Sequence, residues 1–157
     1  MLLHPLIVHF AIALLSVAVI SDLLFLVTKK NDFWQISNFL LILGTIGAIA
    51  AVLTGIQAQK QISISPDLEG LVRSHENSGK LTMWIFITYT GLRLILQKLK
   101  LFDTVWKWVY YITGIVALTL LFRTGLLGGE LVYIHGIGIE KSAEPDLKKP
   151  SFNEQKF

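Results

Sequence analysis

Residues 4–30 read HPLIVHFAIALLSVAVISDLLFLVTKK, and this stretch decides the fold. From Leu6 to Val27 its one formal charge is the carboxylate of Asp22, and Lys29 and Lys30 close it. A helix of about 20 apolar residues crosses a hydrocarbon core of roughly 30 Å. Pro5 suits the first helical position, where a missing N–H costs nothing. Three more runs follow: Phe33 to roughly Ala58, Ser78 to about Gln97 (interrupted by Arg93), and Val105 to about Val132. The second carries Gly44, Gly47, Ala48, Ala51 and Gly55, small residues that let a neighbouring helix approach closely. The fourth opens on Trp106, Trp108, Tyr110 and Tyr111, which read as an interfacial aromatic belt. Between the second and third runs, Gln59 to Asn77 is polar, contains Pro66 and Gly70, and reads as a loop with at most one short surface turn. The expectation is an all-α transmembrane four-helix bundle over residues 1–140. A polar C-terminal tail, 141–157, carries Pro145 and Pro150 and reads as extended or disordered.

Composition agrees. Charged residues make up 16% of the chain and hydrophobic ones 53%, with a mean hydropathy of +0.60, whereas soluble domains carry about 25% charged residues. With no cysteine, disulfides, thiolate nucleophiles, Cys-ligated zinc, Fe–S clusters and covalent c-type haem are excluded. The net charge of +3 comes from lysines at segment ends and in the tail. That pattern suits a lipid bilayer and not nucleic acid. The N-terminus lacks a basic stretch and a small-residue cleavage site, so its run reads as a retained helix and not a signal peptide.

One side of the bundle receives Lys29, Lys30, Lys98, Lys100 and Lys107. The other receives Lys60, Arg73 and Lys80 against Asp67, Glu69 and Glu76. The positive-inside rule then puts the first side in the cytoplasm and both termini outside it, in a bacterial inner membrane. The tail lysines count against this orientation.

The chain has four histidines. His4 and His9 open the first run, His75 precedes the third, and His135 closes the fourth. Because the helices alternate in direction, all four belong to one end of the bundle. Imidazole is the commonest axial ligand of b-type haem and a common ligand of Zn, Cu and Fe. His4 and His9 are five residues apart, so they need not share a helix face. The plainer reading of an interfacial histidine is a polar anchor. Arg73, Lys80 or Arg123 can pair with haem propionates, although Arg123 can equally snorkel and pair with Glu130. Glu76 and Glu130 are possible metal ligands, but carboxylates there are more often solvated. Asp22 and Arg93 lie seven residues before Lys29 and Lys100, so they share a depth. A structural ion pair is favoured for them over a proton relay. Trp84 reads as a belt residue.

Residues 4–14, HPLIVHFAIAL, resemble the opening of a bacterial family of predicted four-span membrane proteins, domain of unknown function 2231. Residues 123–138, RTGLLGGELVYIHGIG, resemble its closing motif, and His75 with Gly79 fits its middle. Ala11 stands where the family usually has proline. The resemblance covers about residues 1–140. It implies company with cytochrome-like electron-transfer modules.

The first functional expectation is a b-type cytochrome-like electron carrier holding one or two haems, with His9 and His75 as ligands. His4 and His135 would form a second pair or support the first. Quinone and cytochrome-type proteins are the expected redox partners. The competing expectations are a non-haem Zn, Cu or Fe site on the same histidines, and a cofactor-free structural or assembly subunit. A transporter is disfavoured, since four spans offer few buried polar groups.

Overall fold

A computed structural model describes residues 3–61 and 64–138. It contains four long helices: α1 (Leu3–Thr28), α2 (Asn31–Gln59), α3 (Glu69–Lys98) and α4 (Trp106–Gly129), the last continuing into a π-helical turn, Glu130–Ile134. Together they form the transmembrane four-helix bundle expected from the apolar runs. The tail beyond residue 138 lies outside the described residues.

α1 and α2 form one hairpin, and α3 and α4 form a second. The α1–α2 contact is the closest because its residues are small. A Cβ on Gly44 would stand 2.6 Å from Leu15 Cδ2, and one on Gly47 would stand 3.3 Å from Ala11 Cβ. Both hairpin turns lie at one end, here the lysine end, and each holds a lysine in the left-handed region: Lys29 at φ 58° and Lys100 at φ 55°. The histidine end carries the start of α1, the α2–α3 connection and the end of α4.

Three helices are long and apolar enough to cross a membrane: Leu3–Thr28, Asn31–Gln59 and Trp106–Ile134. α3 falls short on composition because its first turns carry Glu69, Arg73, Glu76 and Lys80, and Arg93 sits further along. It is nonetheless packed between α2 and α4. Here the structure corrects the sequence reading. Glu69 to Asn77 is helix, not loop, so His75 lies almost two turns inside α3. The cause is a seam of alternating three- and four-residue steps: Val72, His75, Gly79, Thr82, Phe86, Tyr89, Arg93 and Leu96. That spacing keeps one helix face on its neighbours, and most of its members are buried. The aromatic belt is also smaller than expected. Trp84, Trp106 and Trp108 are exposed, whereas Tyr110 and Tyr111 are core residues.

Candidate functional site

Matching seams on the other helices set which polar groups face inward. On α1 the steps run His4, Val8, Ala11, Leu15, Ala18, Asp22, and on α4 Tyr110, Gly114, Ala117, Leu121, Thr124, Gly128, Leu131. His9 falls off the α1 seam. The seams carry polar groups to two places, one at each end of the bundle, with Leu15, Phe86, Ala117 and Leu121 buried between them.

At the histidine end, His4 is half-buried, and its Nδ1 lies 3.1 Å from Thr54 Oγ1. The Thr54 hydroxyl spends its one hydrogen on the carbonyls of Ala50 (2.8 Å) and Ala51 (3.1 Å). Nδ1 of His4 must therefore be the donor, which leaves the lone pair of the neutral ring on Nε2. Gly55 provides the space: a Cβ there would stand 3.0 Å from His4 Cε1.

His75 sits against α4 in the same way, with Cε1 2.9 Å from where a Cβ on Gly128 would be. Its Nδ1 is buried and has no hydrogen-bond partner. The Thr124 carbonyl lies nearby, but outside hydrogen-bond geometry. The neutral ring is the form that ligates metals. His4 and His75, on the inward seams of α1 and α3, are within electrostatic reach of each other. Below His75 lies a hydroxyl cluster. Thr124 Oγ1 is 2.9 Å from both Ser78 Oγ and Thr82 Oγ1.

The other expected site residues lie further out. His9 is exposed, and its Nδ1 donates to the Pro5 carbonyl at 2.6 Å. His135 is exposed because the π turn changes the register, with its N–H bonding the Glu130 carbonyl five residues back. Arg73 and Arg123 are exposed, and Arg123 donates to Ser78 Oγ at 3.3 Å. Lys80 is held by Glu76 at 2.6 Å. The structure thus brings His4 and His75 together and turns His9 and His135 outward. Among the described residues, no group of three or more His, Asp or Glu side chains is placed to hold a metal ion.

At the lysine end the chemistry is closed. Arg93 Nη1 donates to Asp22 Oδ1 at 2.5 Å, Tyr110 Oη at 2.7 Å and Ser37 Oγ at 3.0 Å. Its Nε donates to Asn38 Oδ1 at 3.1 Å, and its Nη2 to the Trp34 carbonyl at 2.7 Å. Tyr89 donates to Asp22 Oδ2 at 2.5 Å, and Tyr110 donates to the same oxygen. The guanidinium lies 3.9 Å over the Trp34 ring, and the two tyrosine rings stack at 4.5 Å. The ion pair expected from matched depth is present and fully buried. Sequence reasoning missed Trp34, Ser37, Asn38, Tyr89 and Tyr110. For the two tyrosines, the seam spacing was the available signal.

Neither a curated protein nor a solved structure matches the chain. A family match does, over residues 2–141, and it spans the histidine end, the buried clamp and all four helices. The chain therefore belongs to the family described as predicted membrane protein, DUF2231.

Proposed function

We propose that the protein is a membrane-embedded b-type haem protein that carries electrons, with His4 and His75 as the ligating pair. The observation that carries this reading is the buried, unpartnered Nδ1 of His75, since an unsatisfied polar atom in a protein interior costs about 1–3 kcal/mol. A bound group relieves that cost. His4 supports it from the other hairpin, with its ring oriented by Thr54 and its Nε2 lone pair free. Haem, when bound, supplies a one-electron Fe(III)/Fe(II) couple. The chain's residues orient the imidazoles and exclude water below His75 with Phe86, Leu15 and Leu121. Exposed Arg73 and Arg123 are available to propionates near the interface. His9 and His135 support the pair from the periphery.

The orientation belongs to the same reading. Each hairpin turn keeps a lysine where glycine fits the backbone more cheaply. Charge at that end therefore outweighs geometry, which suits a cytoplasmic lysine end and extracytoplasmic histidines in a bacterial inner membrane. Lipid-soluble quinol and a cytochrome-type protein are the redox partners that fit this placement. A non-haem Zn, Cu or Fe site has less support, because two imidazoles are short of the three or four protein ligands such ions commonly take.

The test is the visible spectrum of detergent-purified protein expressed with ample haem, oxidised and then reduced by dithionite, with a pyridine haemochrome count. A Soret band with sharp reduced α and β bands is expected. It should be lost in His4→Ala and His75→Ala and kept in His9→Ala and His135→Ala. No haem in the wild-type chain would overturn the reading in favour of a cofactor-free assembly subunit, with metal analysis of the same sample deciding the non-haem alternative.

A further inference from the structure

The two hairpins are held together unequally at their two ends. Among the described residues, every side-chain hydrogen bond between hairpins lies at the lysine end or at mid-depth. Arg93 reaches Asp22, Ser37, Asn38 and the Trp34 carbonyl. Tyr89 and Tyr110 reach Asp22, and Thr45 Oγ1 meets Thr90 Oγ1 at 2.8 Å. At the histidine end, the polar contacts stay inside one hairpin. His4 bonds Thr54 in the first. Ser78, Thr82, Arg123 and Thr124 bond one another in the second.

The covalent connections tie the histidine end on one side only. The turns after α1 and after α3 are at the lysine end, each within one hairpin. The one link between the hairpins, the α2–α3 connection, is at the histidine end and joins α2 to α3 there, leaving α1 and α4 unlinked. Of the neighbouring helix pairs, α1–α4 has the thinnest contact. Near the histidines Ile12 faces Gly125 across this seam, where a Cβ would stand 3.8 Å from Ile12 Cδ1, an ordinary van der Waals distance with no polar bond to hold it. His9, one turn from Ile12 on the same side of α1, is exposed beside that seam.

A bundle clamped by a buried polar network at one end, and at the other joined only along its α2–α3 side, opens on the α1–α4 side of that other end. Apolar contact between helices has no hydrophobic driving force in lipid, where the tails are as apolar as the side chains, so close packing and hydrogen bonds set the resistance. The buried charge cluster resists strongly, because parting it would strand Asp22 and Arg93 without partners. We infer that the hairpins part at the histidine end about the Asp22–Arg93 clamp. A planar macrocyclic ligand then reaches His4 and His75 sideways, between α1 and α4, past His9, Ile12 and Gly125. The parting follows from the bracing alone; its use as the route of a macrocycle rests on the haem reading above.

Two measurements separate these statements. The chain has no cysteine, so spin-label pairs can be placed cleanly at exposed positions. Leu6→Cys with Leu126→Cys reports the histidine end, and Val27→Cys with Val105→Cys the lysine end. The histidine-end distance distribution in lipid is expected to be about twofold broader, as for hinged elements. Equal widths would overturn the parting whether or not haem binds. In the second measurement, apo-protein carrying Ile12→Cys and Gly125→Cys is mixed with haemin before and after tethering by a short bifunctional thiol reagent. Tethering is expected to slow uptake at least about tenfold, a change of roughly 1.4 kcal/mol in barrier. Uptake that is unchanged by the tether would overturn the α1–α4 route. A broad histidine-end distribution in a chain that takes up no haemin would sink the haem reading and leave the parting standing.

Discussion

The two ends of this bundle use polar groups in opposite ways. At the lysine end, Asp22 and Arg93 are essentially fully buried, at 0% and 1% exposure. Every hydrogen-bonding nitrogen of the guanidinium has a protein acceptor, and both carboxylate oxygens have protein donors. At the histidine end, His75 keeps a buried nitrogen with no partner, and His4 keeps a free lone pair on Nε2. Saturation distinguishes the two. A fully satisfied network has no capacity left for a ligand and acts as a clamp. An unsatisfied pair has capacity in reserve and is the better candidate for binding. An intramembrane ion pair draws the eye first as a functional site, yet here the unsaturated histidines are the stronger candidates.

The largest effect should come from breaking the clamp. Arg93→Met leaves the Asp22 carboxylate buried without a cation, and removal of one partner of such a pair costs about 3–5 kcal/mol. The expected result is a large drop in thermal unfolding temperature in detergent, or failure to accumulate in the membrane. Asp22→Leu combined with Arg93→Met removes both charges and should recover most of the loss. A single Arg93→Met variant as stable as wild type would erase the contrast between the ends.

Next come the glycines that seat the imidazoles. Gly128→Ala drives a methyl to 2.9 Å from His75 Cε1, and Gly55→Ala drives one to 3.0 Å from His4. Overpacking of this kind costs typically about 1–3 kcal/mol. Both should also weaken haem retention, read from the Soret absorbance per protein. Gly70→Ala, where nothing lies within 4 Å, is the neutral comparison. Retention unchanged in Gly128→Ala would show that the His75 position does not matter.

Smaller still are the tyrosines of the clamp. Tyr110 accepts from Arg93 and donates to Asp22, whereas Tyr89 only donates to Asp22. Tyr110→Phe therefore removes two hydrogen bonds and Tyr89→Phe one, while Asp22 Oδ2 keeps one tyrosine donor in either variant and Arg93 Nη1 keeps Asp22 and Ser37. No group is stranded, and Tyr110→Phe should cost more, at about 0.5–1.5 kcal/mol per bond lost. Chemical denaturation in detergent orders the two. The reverse order would mean that the stack of the rings, and not the hydroxyls, sets their value.

Much of this contrast was legible in the sequence. Four apolar runs gave four helices. Alternating direction put the histidines at one end, and equal offsets from Lys29 and Lys100 paired Asp22 with Arg93. Which histidines face inward was harder to see. His4 and His9 look equivalent in a hydropathy plot, and only the spacing back from Asp22 through Leu15 separates them, since His4 shares that stripe and His9 does not. The start of α3 was hidden because its first turns are polar, and an apolar-run criterion cannot see a seam whose members include Thr, Gly and His. Tyr110 and Tyr111 were misread for a related reason. Tyrosine near a helix start fits the belt pattern, but Tyr110 also sits in step with Gly114, Ala117 and Leu121. The π turn that moves His135 off its stripe leaves no mark in the periodicity at all.

The smallest effect tests the lysine turns. Lys29 and Lys100 hold positive φ, a conformation that costs an L-residue roughly 1–2 kcal/mol and glycine almost nothing. Lys29→Gly relieves that strain, but glycine also loses more chain entropy on folding, so the net gain should be about 1 kcal/mol or less. A small rise in unfolding temperature is the expected result, with Lys100→Gly behaving alike. Both turns keep lysine despite this available gain, so something other than stability holds it there. Charge at the lysine end is what the two positions share. Replacing Lys29, Lys30, Lys98 and Lys100 together by Gly or Gln should therefore disturb insertion orientation, read by protease or thiol accessibility of tagged termini, while single replacements leave it intact. An unchanged orientation in the fourfold variant would detach the strained turns from topology and leave their lysines without a physical reason.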